Sequence, residues 1–533
     1  MQKTGKLELT WVGKYDEVAV EPRILIEDPS KSYGDPNSEN MLIHGDNLIA
    51  LQALQQDYAG KIKCIYIDPP YNTGSAFDSY DDSVEHSIWL TLMKRRLELL
   101  WTLLSPDNGV ILISVNDDEC HYLKVLCDEL FGRQKFVTSL IWNYEGNTDN
   151  QAKIINYHEY ILVYSTTGEI DPPQVIDPNI PEESKLFKDE IRNTIIKNGP
   201  KNPPKKVYIP AGFPASFEDG VVRKSEVTFP QYSDDILVKN GRTCNDVWAT
   251  SGWSSKDIFE SFINNDFKPV LDSKGQSTVL ELKPTGAIEA VKCRKNEKGH
   301  FISVLRGFGT TNQMRLMLKN MGLTFTYPKP VNLIKYLIEA FTSNNDWVLD
   351  SFAGSGTTAH AVMDLNHYQN SNRKFILVEM SSKNAYDVIY PRLKNVIDGH
   401  FKAEIEPHPN CGFKFYELAP CLLVKNSILP VYQINPEYTF EMLCEAICKI
   451  EGFRYKVDGV YHGFSSEKRF IHITKEFINA EYIKTVAATL GEDQSLLIYG
   501  TKIQSGLRLP DNIEVKKIPK DLLEKCTFES EVR

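Results

Sequence analysis

The chain has 533 residues, of which 42% are hydrophobic and 25% charged, and its formal net charge is −11. These are the proportions of a soluble globular protein of about three domains, and they exclude a disordered, collagenous or disulfide-scaffold chain. No run is long and apolar enough to cross a bilayer, the N-terminus lacks the apolar core of a secretion signal, and the ten cysteines include no Cys-x-x-Cys pair, a combination that fits a reducing cytoplasm.

Residues 1–40 read as an N-terminal arm, with loop signals at Asp28-Pro29-Ser30 and Gly34-Asp35-Pro36. From 41 to 165 strands and helices alternate. Strands are predicted over 41–43, 62–67, 110–115 and 159–164, and helices over 47–57, 83–104 and 117–130. His86, Trp89, Met93, Leu97 and Leu100 fall on one helical face and read as core. Such alternation implies an α/β fold with a mainly parallel sheet and helices on both faces. The strand over 62–67 runs directly into Asp68-Pro69-Pro70-Tyr71-Asn72-Thr73-Gly74. A carboxylate, two rigid prolines and an aromatic ring at a strand end can hold a planar amino group by its edge while the ring covers its face.

Residues 166–325 lose this rhythm, with prolines recurring from Pro172 to Pro210 among irregular segments. Residues 151–330 carry a net charge of +3, which leaves −14 for the rest. The cations cluster over 191–210, with Lys201, Lys205 and Lys206, and over 291–330, with Lys292, Arg294, Lys295 and Lys298. Basic clusters on an acidic chain point to a localised phosphate-facing surface.

Alternation returns at 326. A strand over 346–350 ends in Asp350, the turn Ser351-Phe352-Ala353-Gly354-Ser355-Gly356-Thr357-Thr358 follows, a helix covers 359–366, and a strand over 373–379 ends in Glu379. Strand, glycine turn and helix bring backbone N–H groups to a bound ligand. Glu379 lies 23 positions after Gly356, a spacing that suits an acid on ribose hydroxyls. The turn and the Asp68 motif are 284 positions apart, and strand neighbours can bring them to one sheet edge. Residues 419–533 form a further small α/β region, with a helix over 440–450 and strands over 470–474, 494–499 and 513–518. Cys444 and Cys448 have no second pair, so no metal site is expected, and no Gly-x-x-x-x-Gly-Lys-Ser/Thr loop provides for ATP hydrolysis.

Asp-Pro-Pro-Tyr followed by Phe-x-Gly-x-Gly resembles the DNA amino-methyltransferases that use S-adenosylmethionine, in the motif order of their permuted beta class. Over residues 5–165 and 325–418 the chain resembles, more narrowly, the modification (Mod) subunits of type III restriction–modification systems. Trp11-Val12-Gly13-Lys14-Tyr15, His44-Gly45-Asp46-Asn47-Leu48, the run from Tyr157 through Tyr164, and Tyr327-Pro328-Lys329-Pro330-Val331-Asn332 carry that likeness. It implies a permuted Rossmann-like S-adenosylmethionine-dependent methyltransferase core in two halves, 41–165 and 326–418. A target-recognition domain is then inserted at 166–325, and a small C-terminal α/β domain at 419–533 serves assembly.

The resemblance further implies S-adenosylmethionine as cofactor, extruded adenine in double-stranded DNA as substrate, a homodimer, and a separate restriction subunit that translocates and cuts. The Asp68 carboxylate and the Pro69 carbonyl would accept the amine hydrogens, localising a lone pair otherwise delocalised into the base. Pro70 would fix the turn and Tyr71 stack on the base. Phe352 would lie against the methionine part, Gly354 and Gly356 under its backbone, and Glu379 on the ribose, with Asp350 and Thr357 flanking. Asp46, Lys329 and Asn332 would complete the cofactor site, although Asp46 reads equally as a helix cap and Lys329 as a surface lysine. Asp rather than Ser before the prolines favours N6-adenine over N4-cytosine. A solitary methyltransferase is the rival enzyme reading, and the intact Asp68 motif argues against a non-catalytic specificity subunit.

Overall fold

In the computed structural model, which describes residues 8–16, 23–71, 86–144, 156–171, 173, 175–181, 184, 190–273, 275–293, 301–426, 429 and 431–523, the chain divides into two units, Met1–Pro173 with Phe301–Arg533, and Gln174–His300. Asn72, Thr73 and Gly74 of the proline motif, and Arg294, Lys295 and Lys298 of the second basic cluster, lie outside the described residues.

The first unit is built on an eleven-stranded sheet. In chain order its main strands are β1 (Met41–His44), β2 (Ile62–Ile67), β3 (Val110–Val115), β4 (Phe136–Asn143), β5 (His158–Ser165), β6 (Trp347–Asp350), β7 (Lys374–Glu379) and β8 (Gly412–Leu418). Across the sheet they run β8-β1-β7-β6-β2-β3-β5-β4. Each neighbouring pair from β8 to β3 is parallel, and β5 runs antiparallel between β3 and β4. Strands β6 and β7, from the second half of the sequence, therefore slot between β1 and β2 of the first. That is the permuted Rossmann-like order expected. Leu349 of β6 faces Ile65 of β2. Phe352 and Asp68, each three residues further on, leave the same carboxyl edge at neighbouring positions.

Both sheet faces are covered, which is why the parallel strands read as continuous apolar runs. All six residues of β3 are buried. Ile65 and Ile67 pack with Leu51 and Leu54 of α1 (Asn47–Tyr58) and with Trp89, Met93, Leu97 and Leu100 of α2 (His86–Leu103). Cys64 and Tyr66, on the alternate parity, are buried on the opposite side, where helix 331–341 packs on β2. Three details differ from expectation. Strand β4 was not foreseen, the sheet is antiparallel at β5, and the helix after β3 is α3 (Asp117–Cys127) followed by a π-helical turn over Asp128–Gly132.

The second unit is β-rich rather than irregular. Lys205–Ile209 pairs with Val247–Ser251, Gly220–Val222 with Ile236–Lys239, and Ser277–Leu282 with Ile288–Cys293. Phe213, Phe259, Phe262 and Trp253 anchor its own core. Residues 301–325, placed by sequence with the insert, belong to the first unit and include α4 (Thr311–Asn320). Toward the C-terminus a five-stranded sheet contains Arg469–Ile478, Ser495–Ile503 and Ile513–Lys517, and Cys444 and Cys448 are buried in the apolar core beneath it. Among the described residues no helix is long and apolar enough to cross a membrane.

Candidate active site at the carboxyl edge of the sheet

Proline cannot continue a ladder, so β2 stops at Ile67 and Asp68 projects from the edge. The indole Nε1 of Trp89, on α2, donates to the Pro70 carbonyl at 2.8 Å. That bond fixes the peptide between Pro70 and Tyr71. The Tyr71 hydroxyl lies 2.6 Å from Asp68 Oδ1 and 2.9 Å from Glu159 Oε2. Burial first, then the charges of Asp68 and Glu159, push the Tyr71 phenol well above its ordinary value, so it stays a donor.

Lys329 sits at the centre of this cluster, not on the surface. Its Nζ is 2.8 Å from Tyr71 Oη, 3.0 Å from Asp68 Oδ1 and 2.8 Å from Glu159 Oε2. It also lies 4.9 Å from the centre of the Tyr71 ring and 5.6 Å from that of Trp142. Burial lowers the affinity of the ammonium for its proton, but Asp68 and Glu159 more than reverse this, and the net shift is upward. The lysine is therefore a permanent cation in a pocket of two acids and two rings. Glu159 was not singled out in the sequence. It is the second residue of β5, an antiparallel strand whose first residues arrive at the edge where β2 and β3 end. An acid at the head of an otherwise apolar strand was the available signal.

The glycine turn follows β6. Asp350 is 2% exposed and accepts from Phe352 N at 3.0 Å and from Thr358 Oγ1 at 2.6 Å. Burial pushes its carboxyl up to about 7. Thr357 Oγ1, also buried, donates to the Lys329 carbonyl at 3.3 Å and accepts from Arg392 Nη1 at 3.0 Å. The side chains of Asp350 and Thr357 thus brace the turn itself. Phe352 is buried with Leu349 and Ile376 in the core beneath the edge. Glu379, at the end of β7, accepts from Gly354 N at 2.8 Å and from Ser381 N at 2.9 Å. Burial raises it, against these donors. It also accepts from Asn384 Nδ2 at 3.3 Å, which leaves one of a carboxylate's roughly four lone-pair sites for a further donor.

Asp46 caps α1, accepting from Leu48 N at 2.7 Å, and lies 3.4 Å from Arg96 Nη2. Its neighbour Asn47 donates to the Ser351 carbonyl at 2.7 Å, which ties the start of α1 to the turn. Asn332 is exposed at the start of α5 (Val331–Phe341) and lines a cavity of about 370 Å³ with His360, Asp364 and His408. It is the one predicted site residue there and is not part of the Asp68 cluster. Gly354 and Gly356 both have positive φ, +55° and +77°, and lie with the strand-end Glu379 at the edge from which Asp68 also projects.

A family model described as DNA methylase matches residues 62–389, a span that begins at β2 and takes in both motifs. The chain belongs to this DNA methylase family. It is 32% identical to the EcoPI Mod subunit of Escherichia phage P1, a type III restriction–modification enzyme, over 72% of this chain and 65% of that one. It is 28% identical to the EcoP15I Mod subunit of Escherichia coli over 78% and 72%, and 27% identical to the type II methyltransferase M.KpnI of Klebsiella pneumoniae over 65% and 81%. The chain thus spans just under two thirds of the phage P1 subunit's length.

In the second unit, Lys201, Lys205 and Lys206 are exposed, whereas Lys292 is paired with Asp272.

Proposed function

We propose that this chain transfers a methyl group from S-adenosylmethionine to N6 of adenine in double-stranded DNA, as the modification and specificity subunit of a type III restriction–modification system. The observation that carries the reading is the Asp68 motif leaving the sheet beside the glycine turn. Similarity to the EcoPI and EcoP15I Mod subunits supports the system. A restriction subunit and a second copy of the chain are the partners inferred, with residues 419–533 as the assembly region and the insert reading base edges.

The cofactor supplies an activated methyl group on a sulfonium. Phe352, Gly354, Gly356 and Glu379 would hold it. The chain must do the rest by orientation and electrostatics. An amine inside the duplex is out of reach, so the base is taken out of the stack. Asp68 and the Pro69 carbonyl then accept its two hydrogens and turn the nitrogen lone pair toward the methyl carbon. As the new C–N bond forms and the C–S bond breaks, Asp68 takes up the proton that the amine must lose. Tyr71 keeps the base plane fixed.

Modification-sensitive sequencing of DNA from cells with and without the gene tests the reading and gives the recognition site. N6-methyladenine at one sequence, dependent on the gene, is expected. Asp68→Ala should abolish the mark, by at least about 10³-fold in rate for a group acting on the reacting nitrogen, while calorimetric cofactor affinity stays within a few fold. Retained methylation by Asp68→Ala refutes the site. Likeness to M.KpnI over 81% of that enzyme favours a second reading, a solitary methyltransferase. Co-purification of a translocase–nuclease with the tagged chain separates the two.

A further inference from the structure

Lys329 has three ammonium hydrogens and three acceptors, Tyr71 Oη, Asp68 Oδ1 and Glu159 Oε2, all within 3.0 Å. A lysine committed to bracing needs no place beside Asp68, because Tyr71 already bonds Asp68 at 2.6 Å. What the lysine does occupy is the position next to the carboxylate that takes the target amine. In adenine that amine and ring nitrogen N1 share one carbon, and N1 is an acceptor. An amine hydrogen-bonded to Asp68 therefore brings N1 within one hydrogen bond of the Lys329 ammonium.

We propose that Lys329 reads the ring nitrogen beside the target amine, and that Glu159 is the positioning residue that keeps the ammonium aimed. The proposal rests on the reading above that an extruded adenine enters this site. Binding is an exchange. The amine replaces Lys329 on Asp68, and the ammonium hydrogen so released turns to N1. Each group gives up one hydrogen bond and gains one, so no buried donor or acceptor is left unpaired, and the buried cation keeps Glu159 as counter-ion. Guanine in the same pose carries an N–H at that ring position. Two donors would then face each other in a buried pocket, and the base is rejected. Asp68 tests for an amine, and Lys329 tests for an acceptor next to it.

The experiment uses duplexes carrying the sequenced recognition site with adenine, 1-deazaadenine or 7-deazaadenine at the target. Replacing N1 by C–H removes the acceptor, while the 7-deaza base keeps it and serves as control. Single-turnover transfer of a labelled methyl group is measured for the full-length wild type, Lys329→Met and Glu159→Gln. The wild type is expected to act on 1-deazaadenine at least about tenfold more slowly than on 7-deazaadenine, the scale of one charge-assisted hydrogen bond. Lys329→Met should abolish that preference, and Glu159→Gln should reduce it. A wild type that treats the two analogues alike overturns the proposal whatever the variants do. So does a preference that persists in a folded Lys329→Met, for then the lysine only braces Asp68 and Tyr71. A wild type that methylates no adenine duplex overturns the reading of the site itself, and this inference falls with it.

Discussion

Asp350 shows what a carboxylate at a strand end does for the turn that follows it. It closes β6 and accepts from Phe352 and Thr358, so it holds the turn rather than presenting a free carboxylate to a ligand. Burial raises its pKa from 3.8 to about 7. An acid raised in the folded state contributes stability that is fully present below its unfolded pKa, and that contribution is lost as pH climbs through the folded value. The loss therefore runs from pH 4 to 7 and is at most on the order of 4 kcal/mol. Asp350→Asn keeps an acceptor for Phe352 and carries no charge. In chemical denaturation, the stability of the wild type relative to this variant should fall between pH 4 and pH 8; a constant difference would show that the carboxylate is not held neutral. Asp68 through Tyr71 were legible because they are contiguous. Glu159 was not, since its approach to Asp68 depends on an antiparallel strand whose register no local spacing reveals. Lys329 is marked by its motif, but the acids it meets lie 170 and more positions upstream.

The glycine turn was legible as an element because each part has its own local signal: a short apolar strand, two glycines and a helix start. Gly356 has φ +77°, and a Cβ there would lie 2.9 Å from Ile389 Cγ2. An L-residue in that backbone region costs about 1–2 kcal/mol before any contact is counted. Beneath the turn, Arg392 of α6 (Tyr390–Asp398) is fully buried and donates to the Ser355 carbonyl at 2.9 Å, to Ser355 Oγ at 3.0 Å and to Thr357 Oγ1 at 3.0 Å. Nothing in the sequence marks this arginine, whose neighbours are ordinary helix residues. It makes the turn rigid from below, so strain at Gly356 cannot spread. Gly356→Ala is expected to weaken cofactor binding by tenfold or more in calorimetry and to lower the melting temperature by several degrees. Unchanged binding would mean the turn does not touch the cofactor. Strands β2 and β3 match expectation residue for residue, because apolar runs covered on both faces have abrupt ends. β4 escaped because it mixes Thr, Ser and Asn with its apolar residues and is only half buried.

For the whole molecule, the same chain joins an acidic first unit to an insert in which the cations are concentrated. The insert was legible by its charge and its broken rhythm, but not by its structure. Its strands are mostly two to six residues long and are interrupted by prolines, too short for a period-two pattern to stand out. The pairing of Lys292 with Asp272 was equally hidden, and it neutralises one candidate phosphate contact. What pairing does produce is a mixed face. Lys206 lies across from Thr250 and Tyr208 across from Trp248, with the two rings 5.2 Å apart and both exposed, at 42% and 49%. Cations and rings on one face call for two separate measurements. Each lysine that neutralises a phosphate releases counterions, so Lys201, Lys205 and Lys206 changed together to Ala should lower the slope of log K against log salt by up to about 3. Trp248→Ala should weaken binding to DNA of the recognition sequence while leaving that slope unchanged, since a ring that stacks or fills a groove displaces no ions. Fluorescence anisotropy over a salt series reads both. If the triple variant keeps the wild-type slope, these lysines face solvent; if Trp248→Ala alters the slope, the ring acts by placing the lysines rather than by contact of its own.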